Sequence, residues 1–78
     1  PVTVIYRDHA GTMWVGTDAH GLNRYVPESD SFISYLHDDD NPESLGQNAV
    51  RSIYEDNQRN LWTANFSNGL SLLRRSQE

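Results

Sequence analysis

Seventy-eight residues without a cysteine hold at most one small domain, with no disulfide framework and no thiolate metal site. Eleven acidic residues against six basic ones give a formal net charge of −5, and the one basic cluster is Arg74-Arg75, which excludes the phosphate-neutralising stripe of a nucleic-acid binder. No apolar run approaches the ~18 residues of a membrane-crossing helix, and no leader-like segment is visible.

In chain order, Val2 to Arg7 is β-branched and aromatic and reads as a strand. Asp8-His9-Ala10-Gly11 is a turn, with Gly11 expected at positive φ. Thr12 to Thr17 is a second strand carrying Trp14, and Asp18-Ala19-His20-Gly21 turns the chain again, with His20-Gly21, and Asn68-Gly69 later in the chain, as two-residue hairpin signals. Leu22 to Val26 is a third strand, ended by Pro27, and Ser31 to His37 is a fourth. A polar stretch from Asp38 to Asn48 follows, and then strand-like runs return at Val50–Glu55, Leu61–Asn65 and Leu70–Arg74. No segment keeps helical periodicity, so the expectation is an all-β meander.

The later strands repeat the earlier ones. At an offset of 48, Val2, Ile5, Tyr6, Asp8, Trp14, Gly21 and Leu22 fall on Val50, Ile53, Tyr54, Asp56, Trp62, Gly69 and Leu70. Met13 falls on Leu61 and Tyr25 on Leu73, which keeps apolar character at both positions. Identity in one register at a period of 20–50 residues marks an array. Four antiparallel strands are the unit of a β-propeller blade. The alternation fits that unit: Phe32 and Leu36 share one face of the fourth strand and Ile33 and Tyr35 the other, while Leu22 and Val26 oppose Tyr25 on the third. A sheet sandwiched between two neighbours needs large apolar groups on both faces. The predicted architecture is therefore about two blades: residues 1–48 form the first with its linker, and residues 49–78 a second that lacks its fourth strand. A small sandwich of two sheets is the competing fold. Pro1 stands directly before a strand and Glu78 follows an unfinished repeat, so the chain reads as a piece of a longer array.

Asp8 and Asp56 each close a strand and open a turn, which suits a carboxylate that caps backbone amides better than a catalytic acid. Trp14 and Trp62 are expected to pack between sheets, sugar stacking being open to them only on an exposed rim. In the second copy Arg59 replaces Gly11, Ala64 replaces Gly16 and Asn65 replaces Thr17, so the glycine-dependent turn is expected to relax around Arg59. The run Asp38-Asp39-Asp40-Asn41-Pro42-Glu43 lacks the spacing and central glycine of a calcium loop and reads as a solvated loop. His9, His20 and His37 lack zinc-ligand spacing and read as surface histidines. Asn65-Phe66-Ser67 has the form of a glycosylation sequon, which a bacterial origin would make incidental. No nucleophile elbow and no phosphate-binding glycine loop occurs. The reading assigns no catalytic, cofactor-binding or metal residue and leaves ligand-binding residues unassigned.

The stretch Asp8-x-x-Gly11-x-Met13-Trp14-Val15-Gly16-Thr17-x-x-x-Gly21-Leu22-Asn23-Arg24-Tyr25 resembles the two-component regulator propeller repeat. The passage from Phe32 through Asn41-Pro42-Glu43-Ser44-Leu45 to Val50 and Asp56 resembles that family's passage between blades, so the resemblance covers nearly the whole chain. It implies a non-enzymatic fragment of a periplasmic sensor propeller, of the kind found in bacterial histidine kinases including hybrid ones. Such a fragment would contribute to ligand sensing and signal transduction, with a carbohydrate as the ligand class of the complete propeller. The alternative is a structural or protein-interaction propeller module. The expected partners are neighbouring blades or other copies of the chain, which makes the isolated chain a homo-oligomer.

Overall fold

The computed structural model describes residues 1–41, 44–66 and 69–74. Seven strands follow one another: β1 (Val2–Arg7), β2 (Met13–Thr17), β3 (Leu22–Val26), β4 (Ser31–Tyr35), β5 (Ser52–Glu55), β6 (Leu61–Ala64) and β7 (Leu70–Leu73). They form a four-stranded sheet in the order β1-β2-β3-β4 and a three-stranded sheet in the order β5-β6-β7, all pairs antiparallel. Each sheet is a simple meander, because every connection within it is short enough to close a hairpin.

The register repeats with the sequence. Tyr6 faces Trp14 and Ile5 faces Val15 in the first sheet, as Tyr54 faces Trp62 and Ile53 faces Thr63 in the second. Period-two alternation then gives each sheet two faces. One face of the first sheet carries Val4, Tyr6, Trp14, Gly16 and Leu22, and the second sheet lies against it with Ile53, Leu61 and Thr63. Trp14, Leu22, Leu45, Val50, Ile53 and Leu61 are the buried core, with Val4, Tyr6, Tyr35 and Leu73 packed at its margin. The Trp14 and Tyr35 rings meet at 5.8 Å and a tilt of 41°. The core is thus the interface between the sheets and belongs to neither alone.

Strand ends differ from the sequence-based expectation where the chain changes sheets. The fourth strand stops at Tyr35 rather than His37, because the His37 amide donates to the Asn48 side chain at 2.6 Å instead of to the ladder. The fifth begins at Ser52 rather than Val50, since the Val50 amide donates to Thr17 O of the first sheet at 2.7 Å. The expected two-residue hairpin at His20-Gly21 is the end of a longer turn over residues 18–21. It is closed by Thr17 N–H to Gly21 O, with Gly21 at φ 73°. A Cβ on Gly21 would lie 2.3 Å from Tyr35 O, so glycine is required there by close approach as well as by φ. Its counterpart turn closes alike, Asn65 N–H to Gly69 O at 3.0 Å, while the Asn68 half of that signal lies outside the described residues.

Gly16 lets the sheets touch. A methyl there would sit 2.6 Å from Val4 Cγ1 and 2.8 Å from Val50 Cγ1. In the second sheet Ala64 takes this place, and Ser52 takes the place of Val4 beside it, so the smaller partner makes room for the added methyl. Gly16→Ala is therefore expected to destabilise by about 1–3 kcal/mol through overpacking, and Ala64→Gly by no more than about 1 kcal/mol. Urea midpoints of the two variants test this; equal shifts would show that Gly16 is not the point of contact.

Candidate functional site

The recurring acid is built into a recurring turn. Asp8 N–H donates to Thr12 O and Gly11 N–H to Asp8 O, both at 3.0 Å; Asp56 and Asn60, then Arg59 and Asp56, repeat the pair at 2.9 and 3.0 Å. Gly11 has φ 85° and Arg59 φ 68°. The relaxation expected around Arg59 does not occur. The two backbone bonds and the carboxylate hold the same positive-φ geometry, and Arg59 bears the local strain.

Within each turn the carboxylate satisfies three donors. Asp8 Oδ1 accepts from the Ala10 and Thr12 amides at 2.9 Å, and its Oδ2 accepts from the Trp14 indole Nε1–H at 2.8 Å. Asp56 Oδ1 accepts from Gln58 and Asn60 at 2.8 and 3.0 Å, and its Oδ2 from Trp62 Nε1–H at 2.9 Å. The capping role anticipated for the acids is present, with an addition: the same carboxylate satisfies the buried polar atom of the indole and fixes its orientation. The signal for that addition was available, since acid and tryptophan recur together six residues apart. The indole bond, aided by the Asn60 and Gln58 amides and opposed by burial, holds the Asp56 carboxyl below its ordinary 3.8. Both carboxylates thus bind the turn and the indole that follow them in the chain.

Between the sheets runs a polar strap. Gly21 N–H donates to Asn48 O at 2.8 Å, Gly46 N–H to Ser71 Oγ at 2.8 Å, and the Thr3 hydroxyl to Val50 O. Thr3 lies at the register shift between Val2 and Val4 in β1. Glu55 reaches across from the second sheet to the first turn: Oε1 accepts from the His9 amide at 3.0 Å and Oε2 lies 2.5 Å from His9 Nδ1. His37 sits in the crossing segment, with Nδ1 2.6 Å from Leu45 O and Nε2 2.6 Å from Asp39 Oδ1. Both neighbours only accept, so the imidazolium satisfies both while a neutral ring leaves one unpaired. The Leu45 carbonyl first, and Asp39 second, raise the His37 pKa above 6.5 against the opposing effect of burial.

The histidines therefore fall on different parts of the molecule: His9 against Glu55, His37 against the crossing segment, and His20 in an exposed turn with its amide on Thr17 Oγ1. Among the described residues no group of three or more His, Asp or Glu side chains is placed to hold a metal. Within the acidic run, Asp38 Oδ1 accepts from the Asp40 amide and Ser44 Oγ accepts from the Asp38 amide; Pro42 and Glu43 lie outside the described residues, as do Ser67 of the sequon and Arg75. A cleft of about 290 Å³ opens beside Ser34, Leu36, Asp38, Asn41, Ser71 and Leu72. The cleft lies between the crossing segment and β7.

The remaining feature is a pair of open sheet faces. Leu22 is 0% exposed and its counterpart Leu70 69%; Ile53 is 8% exposed and its counterpart Ile5 61%. Trp14 is sealed, whereas Trp62 is half-buried beside the exposed Tyr54. Each position is covered where it looks into the middle of the molecule and bare where it looks outward.

The family described as two component regulator propeller matches residues 1–19 and 44–67. Two solved structures of the extracellular domain of BT4673 from B. thetaiotaomicron are similar to the chain. One is described as a one component system, with TM-score 0.80; the other is described as a hybrid two component system, with TM-score 0.79. Each is 30% identical and covers 94% of this chain, and the chain spans 10% of theirs. A comparison with curated proteins finds no match.

Two outcomes check the site. Asp8→Ala should cost about 1–3 kcal/mol through amides and an indole left without an acceptor, and Asp56→Ala less, because water reaches Trp62; equal urea midpoints for the two variants would contradict the asymmetry. For His37 the folded pKa lies above the ordinary 6.5, so its stabilisation is complete below 6.5 and is lost as pH climbs through the raised value. The melting temperature should fall over that interval, and His37→Ala should remove the His37 component of the fall. An unchanged pH profile in His37→Ala would show that the ring does not hold the crossing.

Proposed function

Because the chain belongs to the two component regulator propeller family, we propose that it contributes to extracytoplasmic ligand sensing, as part of the β-propeller sensor domain of a bacterial two-component regulator. The observation that carries this reading is the stack itself: two sheets of one sequence repeat, packed face to face, with 30% identity to extracellular domains of such systems. In this reading the chain is non-catalytic, and the described residues supply framework. Their carboxylates and indoles are already spent on turns and on the core between sheets.

The sensing mechanism is one of population shift. A ligand held by loops of many blades binds one arrangement of the assembled propeller better than another and biases a downstream two-state element by that difference in affinity. The chain lies on the periplasmic side in this proposal, and carbohydrate fragments are the ligand class to which the family resemblance points. A propeller pocket draws on more blades than this chain has, which is why no single residue here is assigned to the ligand.

Calorimetric titration of the complete propeller of the parent protein with a panel of oligosaccharides tests the reading. One sugar class should bind, and a reporter of the downstream output should respond to that same class. A propeller that ignores every sugar yet binds a protein partner would replace the sensor by an interaction module.

A further inference from the structure

The two outer faces of the molecule are the two halves of its own core. The bare face of the second sheet carries Tyr54, Trp62, Ala64 and Leu70, the counterparts of Tyr6, Trp14, Gly16 and Leu22, which the second sheet covers. The bare face of the first sheet carries Ile5, Met13 and Val15, the counterparts of Ile53, Leu61 and Thr63, which do the covering. One face is therefore a socket and the other its plug, and the fit between them is on display in the middle of the chain.

We propose that in the isolated 78-residue chain, where no neighbouring blade of a larger propeller covers it, the socket around Trp62 and Leu70 takes the Ile5 face of a second copy, so that copies join head to tail. The contact is continuous with the existing one. It brings Ile5 of the incoming copy and Trp62 into one cluster as Ile53 and Trp14 share the internal one, and it directs the incoming Val2 amide to Asn65 O as the Val50 amide is directed to Thr17 O. Unlike faces meet, so the association is heterologous, and it ends in a ring if the rotation between sheets closes. β1 and β5 are the strands that approach each other most between the sheets, which places the rotation axis on their side. Three or four copies would give six or eight sheets, within the range of propellers.

The copy contact is weaker than the internal one for two reasons that can be read from the sequence. Where Glu55 holds His9, the incoming copy offers Arg7 to Asn57, and no acid meets an imidazole. Where Gly16 admits Val50, Ala64 presents a methyl to the incoming Val2. Both mismatches are correctable, which makes the direction of assembly testable.

The test is sedimentation equilibrium of the 78-residue chain and of two variants blocked on one face each, Leu70→Glu and Ile5→Glu, both at exposed positions that leave the core intact by far-UV circular dichroism. The unaltered chain should associate with rising concentration. Each blocked variant alone should be monomeric, and an equimolar mixture should form a one-to-one heterodimer that grows no further. The triple variant Arg7→Glu, Asn57→His, Ala64→Gly should associate more tightly, about fivefold from the restored carboxylate–imidazole hydrogen bond alone. Four results would overturn the proposal: a folded chain that stays monomeric throughout; a Leu70→Glu variant that still dimerises, which would mean like-with-like pairing of the Ile5 face; a mixture that stays monomeric; or a triple variant no tighter than the original.

Discussion

A sheet with large apolar side chains on both faces gains stability from every neighbouring sheet that covers one of them. Everything else in this molecule follows from that gain. The first sheet obtains it on one side by receiving the second, and the core that results is made of Trp14 and Leu22 from one repeat and Ile53 and Leu61 from the other. Covering a side chain of that size contributes about 1.5–3 kcal/mol, far more than any one of the polar contacts of the strap. The sheets are held together by burial, and the polar groups set the distance and the register at which burial occurs.

The carboxylate–indole pair shows how that precision is reached. A tryptophan brings the largest apolar surface available, together with one N–H that must not be buried alone. Asp8 and Asp56 each remove this cost while closing the turn that starts the strand on which the tryptophan sits. One residue thus couples the turn, the strand and the contact between sheets. Each carboxylate is held by three hydrogen bonds, two from its own turn and one from the indole.

Much of this was legible in the sequence, because a repeat displays its own constraints twice. Short strands spaced by turn residues pointed to the meander, the seven matched residues to an array, and the opposition of Phe32 and Leu36 to Ile33 and Tyr35 to sheets apolar on both faces. The all-β propeller architecture is the observed one, and the strand cores agree with the reading. What escaped was of two kinds. Strand ends at His37 and Val50 depend on which distant acceptor claims an amide, and that is a tertiary decision no local pattern records. The turn at Arg59 keeps positive φ because its hydrogen bonds outweigh a side-chain preference, so local propensity pointed the wrong way. The bond from Trp14 to Asp8 is marked only by the joint recurrence of acid and indole six residues apart, since neither residue alone specifies the other as its partner.

The central claim is that coverage by the neighbouring sheet, rather than the sheet's own structure, buries the recurring residues. Hydrogen exchange of the two indole N–H groups, followed by NMR at a concentration too low for association, measures it within one molecule. Both indoles donate to an aspartate with nearly the same geometry, so any difference between them reports the covering sheet. Trp14 should exchange only by separation of the sheets, and therefore far more slowly than Trp62. Equal rates for the two would contradict the account.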